Sequence, residues 1–204
     1  MFVRIPAGFA LYATDQLAIL APQGWRCFGL YGSDGDTLIA APELLSYDIL
    51  RNGGALSGPA IQMSRMRGDT SGRFDVARAI ARFFPDHMTF TAHVIAEDIE
   101  PAGAFPRGPY PADTMHSNGP EDVTFTTPGG AQGMGTASRL IANPAPIIGF
   151  VHLTPENDLV TLQVRVPSAT RRDLQAMLDG ARGLNGDRPR NTEKTGSVQG
   201  AGLQ

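Results

Sequence analysis

Two apolar, β-branched runs, Ile147 to Leu153 and Leu159 to Val166, flank the polar connection Thr154-Pro155-Glu156-Asn157-Asp158. A short polar link between two such runs joins antiparallel neighbours, so this pair constrains the fold more than any other stretch. Immediately upstream, Val123 to Thr127 reads as a third strand, and the turn formers of Pro128 to Gly135 interrupt it. The residues Thr136 to Ala142 place Leu140 and Ile141 on one face and predict a helix, which Asn143-Pro144-Ala145-Pro146 stops. The unit from Val123 to Pro167 is the part around which the rest of the chain is expected to assemble.

The earlier chain reads as further strands and one helix. Met1 to Tyr12 is mostly apolar and predicts either an edge strand or a disordered leader, and Leu17 to Leu20 predicts a strand. The runs Trp25 to Tyr31 and Thr37 to Ala40 bracket Gly32-Ser33-Asp34-Gly35-Asp36, a hairpin signal with a mechanism in glycine's tolerance of positive φ. Leu44 to Leu50 reads as another strand, and Pro59 to Met66 as one with a single buried face. From Arg73 to Phe84 the apolar residues Val76, Ala77, Ile80, Phe83 and Phe84 share a helical face, with Ser71 as N-cap and Pro85 as the stop. Thr89 to Ala96 alternates and is β-rich, which predicts a strand carrying His93. Asp98 to Asp122 holds five prolines and reads as a long loop, which makes Phe105 to His116 a candidate site segment. Ser168 to Ala181 predicts a last helix, with Thr170 and Asp173 at capping-box spacing.

Composition narrows the function. With 204 residues, 42% of them hydrophobic, the chain can bury one sizeable core, expected as a single domain over residues 1–182 with a disordered tail over 183–204. A net charge of -3 without a basic stripe argues against nucleic acid as a partner. The only lysine is Lys194, in the expected tail, so Schiff-base enzymes and P-loop NTPases are disfavoured. A single cysteine, Cys27, excludes an intrachain disulfide and a multi-cysteine metal site; its apolar surroundings predict a buried, inert thiol. No apolar run is long enough to span a membrane. The N-terminus is a poor signal peptide, since Pro6 and Gly8 break its short apolar stretch, and this predicts a cytoplasmic location.

The strings LAPQGWRCFGLYGSDGDTL at 20–38, SGPAIQMSRMRGDTSGRFDVARAIARFFP at 57–85 and TTPGGAQGMGTASRL at 126–140, with their spacing, resemble a family of uncharacterised bacterial proteins. The resemblance covers roughly Leu17 to Val166 and implies relatives without implying an activity. Such relatives often look exported, which implies the periplasm or envelope; the start of this chain departs from that pattern.

Three kinds of chemistry were weighed. Gly129, Gly130, Gly133 and Gly135 with Thr136 resemble a phosphate cradle, because glycines ahead of a helix point backbone N–H groups at an anion. Thr136 stands where a P-loop needs lysine, so a structural turn is the favoured reading. His87, His93, His116 and His152 show no metal-ligand spacing; His116 and His152 remain candidate ligand-binding residues, and neither a metal nor a cofactor is implied. No serine sits in a nucleophile-elbow frame, and the carboxylates Glu97, Asp98 and Glu100 read as a solvated loop entrance. The expected fold is therefore α+β, a largely antiparallel sheet of about six or seven strands with two or three packed helices. The expected function is non-enzymatic binding of a small molecule or protein, with a small hydrolase assembling serine, histidine and carboxylate in space as the alternative.

Overall fold

The computed structural model describes residues 5–46 and 54–185. Nine strands and three α-helices are present among them: β1 (Phe9–Ala13), β2 (Ala18–Pro22), β3 (Arg26–Tyr31), β4 (Gly35–Ala41), β5 (Ala60–Met66), α1 (Arg73–Phe83), α2 (Met88–Ala96), β6 (Thr114–Gly119), β7 (Asp122–Thr127), β8 (Ile147–Leu153), β9 (Leu159–Arg165) and α3 (Arg171–Asn185). Strands β3 to β9 form a seven-stranded sheet in the order β3-β4-β5-β9-β8-β7-β6, antiparallel throughout, and β1 and β2 form a separate antiparallel pair. The arrangement is α+β, as expected.

The two runs that most constrain the sequence are β8 and β9, and they pair directly. Strand β9 then pairs with β5, so both occupy the middle of the sheet, and both are covered on each face. That corrects the expectation that β5 buries one face only. On one side the β1–β2 pair and α3 pack Leu17, Ile19, Met177 and Leu178 against Leu38, Met63 and Leu162. On the other, α1 presents Val76, Ile80 and Phe83 at helical spacing to Phe125, Val151, Leu153 and Leu159. Burial of side chains of that size contributes about 1.5–3 kcal/mol each before entropy is subtracted.

Gly35 opens β4 at φ 153°, where a Cβ would stand 2.0 Å from the Arg65 carbonyl oxygen, so glycine lets β5 approach the end of the hairpin. Helix α3 begins with the expected reciprocal cap: the Asp173 N–H donates to the Thr170 hydroxyl at 3.2 Å, and the Thr170 N–H donates to the Asp173 carboxylate at 3.0 Å.

Several expectations are corrected. Thr89 to Ala96 is not a strand but belongs to α2. Its Thr91 and Val94 lie one helical turn apart, both buried, and the Thr91 hydroxyl donates to the Ala77 carbonyl at 3.1 Å. Packing on α1 outweighs the β-branched composition. Thr136 to Ala142 is not a helix; a short 3-10 turn, Met134–Thr136, is followed by irregular chain. Backbone donors there go to side chains instead of to carbonyls a turn earlier: the Arg139 N–H to Gln62 Oε1 at 3.0 Å and the Leu140 N–H to Ser138 Oγ at 3.1 Å. Leu140 also forms a parallel bridge with Leu56.

Ser71 does not cap α1; Gly72 holds that position, and the Ser71 and Ser33 hydroxyls bond each other at 2.9 Å. The proline-rich span contains a strand, β6, at the sheet's edge. Cys27 is exposed, not buried, because β3 is the opposite edge. Residues 183–185, expected in the tail, complete α3. There the Asn185 side chain accepts from the Ala18 N–H at 2.9 Å and donates to the Ala18 carbonyl at 2.8 Å. Leu44 to Ser46 are not in a strand, and the remainder of that run and the chain beyond 185 lie outside the described residues.

Candidate ligand-binding cleft

Polar residues on strands of alternating pattern normally face water. In β5 and β9 they cannot, since neighbours flank both strands and layers cover both faces. The register sets Thr37 of β4 opposite Ser64 of β5, and Ser64 opposite Thr161 of β9; Gln62 and Gln163 face each other in the next row. These groups are buried: Ser64 is 3%, Thr161 6%, Gln62 7% and Gln163 1% exposed. Ser64 Oγ shares a hydrogen bond with Thr37 Oγ1 at 3.0 Å and accepts from Gln62 Nε2 at 3.2 Å. Gln163 Oε1 is buried without a partner among the described residues.

Above this polar row α1 stands off from the sheet and leaves a cleft of about 260 Å³. Gln62, Ser64 and Thr161 form its polar floor, and Met66, Leu159, Met134 and Phe83 supply apolar wall. Asp75, Arg78 and Arg82 reach it from α1, and Pro106 and Tyr110 from the strap between α2 and β6. The strap is tied down. Phe105 is buried with Ala77, Ala81 and Val94, and the Gly108 N–H donates to the Ala81 carbonyl at 3.1 Å.

The charges are arranged unevenly. Arg78 donates to Asp75 at 2.7 Å and to Glu100 at 2.5 Å. Burial pushes the Asp75 carboxyl above its usual value, against the pull of Arg78. Arg82 donates to the Gly108 carbonyl at 3.2 Å and lies 3.8 Å over the Tyr110 ring, with no carboxylate partner among the described residues. At the start of α1 the Arg73 guanidinium grips both Glu97 oxygens at 2.7–3.0 Å, which lowers the Glu97 pKa and raises that of Arg73.

The glycine loop does point a donor at an anion, and that anion is the chain's own. Asp113 Oδ2 accepts from the Met134 N–H at 2.7 Å, and Oδ1 accepts from Thr127 Oγ1 at 2.7 Å. The Gly135 N–H goes to Thr127 Oγ1 at 2.9 Å, the Gly133 N–H to Thr136 Oγ1 at 3.0 Å, and the Gly130 N–H to the Asn143 carbonyl at 2.7 Å. A Cβ on Gly133 would stand 2.0 Å from Asp113 Oδ1. The loop's part in the cleft is to set Met134 and Ala137 in its wall.

The histidines lie elsewhere. His116 is exposed on the edge strand β6. His152 opposes Asp122 at the start of β7, with Nδ1 3.6 Å from an Asp122 oxygen that also accepts from Arg182 at 3.0 Å. The glycine loop leaves the other end of that strand, roughly 17 Å away at about 3.4 Å per residue. His87 faces Glu121 at 3.5 Å and His93 is in α2, so His93 and His152 do not meet across a sheet. No group of three or more metal-ligating residues occurs among the described residues. Glu97 and Asp98 are exposed just past α2, as expected of a solvated entrance, and Glu97 and Glu100 also pair with arginines of α1.

Sequence reasoning missed Gln62, Ser64, Thr161 and Arg82, while Tyr110 and Pro106 fall within the Phe105 to His116 segment it singled out. The available signal was polar residues inside the runs that become central strands, a placement that solvent exposure does not explain. No helix among the described residues is long and apolar enough to cross a membrane. The chain matches no protein-family model, no curated protein and no solved structure.

Proposed function

We propose that this chain is a binding domain for a small organic molecule, held between α1 and the sheet. The supporting observation is the row of buried polar side chains on β5 and β9 opening into the cleft. A buried polar atom without a partner costs about 1–3 kcal/mol. Ser64 already bonds Thr37 and Gln62, and a hydroxyl can make a third hydrogen bond, so a polar floor of this kind fits a surface that a ligand completes when it enters.

Ser64→Ala and Thr161→Val separate the two roles. Thr161→Val is expected to melt within a few degrees of the wild type, and Ser64→Ala to be about 1–3 kcal/mol less stable because it strands the Thr37 hydroxyl and the Gln62 amide. Both are expected to lose ligand-induced stabilisation in a thermal-shift screen against a small-molecule library. Hits that stabilise both variants as much as the wild type would place the ligand elsewhere.

A further inference from the structure

The cleft also carries information about what fills it. Arg78 and Arg82 are one helical turn apart on α1, and only Arg78 is neutralised, by Asp75 and Glu100. Those four side chains sum to zero charge, with both negative charges already engaged by one arginine. Arg82 uses one of its five N–H donors on the Gly108 carbonyl. That bond and the Tyr110 ring, 3.8 Å from the guanidinium carbon, hold the group in place before anything binds. A planar donor fork fixed in this way loses little rotamer freedom on meeting a partner.

The remaining surface is complementary in another sense. The floor offers the neutral polar groups of Gln62, Ser64 and Thr161, and Met66, Leu159 and Met134 form apolar wall. One guanidinium without a carboxylate partner among the described residues, neutral hydrogen-bonding groups and apolar wall suit a molecule with one negative head and a mostly apolar body. A cationic ligand would face Arg82 unpaired. A dianion would bring a second charge with no free cation to meet it, beside the carboxylate of Asp75. A carboxylate matches the guanidinium fork oxygen for donor.

Resting on the reading of the cleft as a ligand site, we propose that its occupant is a small organic monocarboxylate, with the acid group on Arg82 and the apolar body against Met66 and Leu159. Octanoate and 3-phenylpropanoate are suitable probes, each compared with its neutral amide at fixed ionic strength. Titration of the full chain by calorimetry, with backbone amide shifts followed by NMR, gives both affinity and location.

The expected result is shifts at Ser64, Met66, Leu159 and Thr161 and at least roughly tenfold tighter binding of the acids than of their amides, equivalent to about 1.4 kcal/mol. Arg82→Gln should abolish that preference, and Arg82→Lys should restore part of it. Tyr110→Leu unstacks the guanidinium without removing it, so it should weaken the acids several-fold and leave the amides unchanged. It serves if Arg82→Gln fails to fold. Equal affinity for acid and amide, with shifts still in the cleft, would overturn the carboxylate assignment and leave the cleft reading standing. So would a preference that survives Arg82→Gln, or equal weakening of acids and amides by Tyr110→Leu. If no probe moves any resonance of the cleft, both readings fall.

Discussion

Asp113 Oδ2 accepts the Met134 N–H at 2.7 Å, and this one hydrogen bond joins the strap that roofs the cleft to the glycine loop that forms its wall. The same carboxylate takes the Thr127 hydroxyl at 2.7 Å, so the end of β7 enters the junction as well. Three segments meet at one negative charge. Of the loop's backbone donors, the Met134 N–H meets a carboxylate, and that carboxylate belongs to the chain itself.

Asp113→Ala should therefore loosen the cleft from both sides. Hydrogen bonds to a charged group contribute about 1.5–3 kcal/mol each, so a loss of about 2–4 kcal/mol is expected, allowing for water entering the gap. Chemical denaturation measures it. Amide hydrogen exchange should accelerate at Met134 and Gly135 and within the strap, while β5 and β9 keep their protection. Uniform acceleration would mean that Asp113 supports the fold globally and does not act as a local tie.

What the sequence discloses depends on where each signal's cause lies. The β3–β4 hairpin, α1, β8, β9 and the Thr170 cap were legible because their determinants are local: turn glycines, a 3.6-residue stripe, a five-residue connection, a reciprocal hydrogen bond. Thr89 to Ala96 misled because its helical state is set by Ala77 and Ala81 on another helix, through Thr91 and Val94. The stretch after Thr136 misled because its donors find Gln62 and Ser138, whose positions no periodicity records. The cleft was hidden for a related reason. Ser64 and Thr161 look like solvent-facing residues until β5 and β9 are known to be neighbours in the middle of the sheet.

Glu97 makes part of the stability depend on pH. Its pKa lies below the ordinary 4.5, chiefly through the hydrogen bonds from Arg73. A carboxyl whose folded pKa is depressed binds its proton less readily folded than unfolded. Its contribution is therefore complete above the unfolded value and disappears as pH falls through the folded one. Glu97→Gln should lower the melting midpoint at pH 7, and the gap to the wild type should shrink at a pH below the ordinary carboxyl range. An equal gap at both pH values would show that the pair acts through packing and not through charge.

Arg165 is the largest fully buried side chain, and its partners are all backbone carbonyls: Gly58 at 2.9 Å, Ile141 at 2.5 Å, and Leu56. No carboxylate is among them, and burial pulls its pKa below the usual arginine value. The side chain reaches from the end of β9 to two irregular segments that pair through Leu56 and Leu140 beside the cleft's floor. Arg165→Leu fits the volume roughly but strands the Gly58 and Ile141 carbonyls, each at a cost of about 1–3 kcal/mol, while the Leu56 carbonyl keeps the Ile141 N–H. A loss of about 2–6 kcal/mol is expected, a large share of the stability of an ordinary domain. Arg165→Lys retains the charge but reaches fewer carbonyls, so it should fall between the two in urea denaturation at unchanged m-value. If Arg165→Leu unfolds at the wild-type midpoint, the stranded carbonyls have found other partners and the side chain does not hold these segments together.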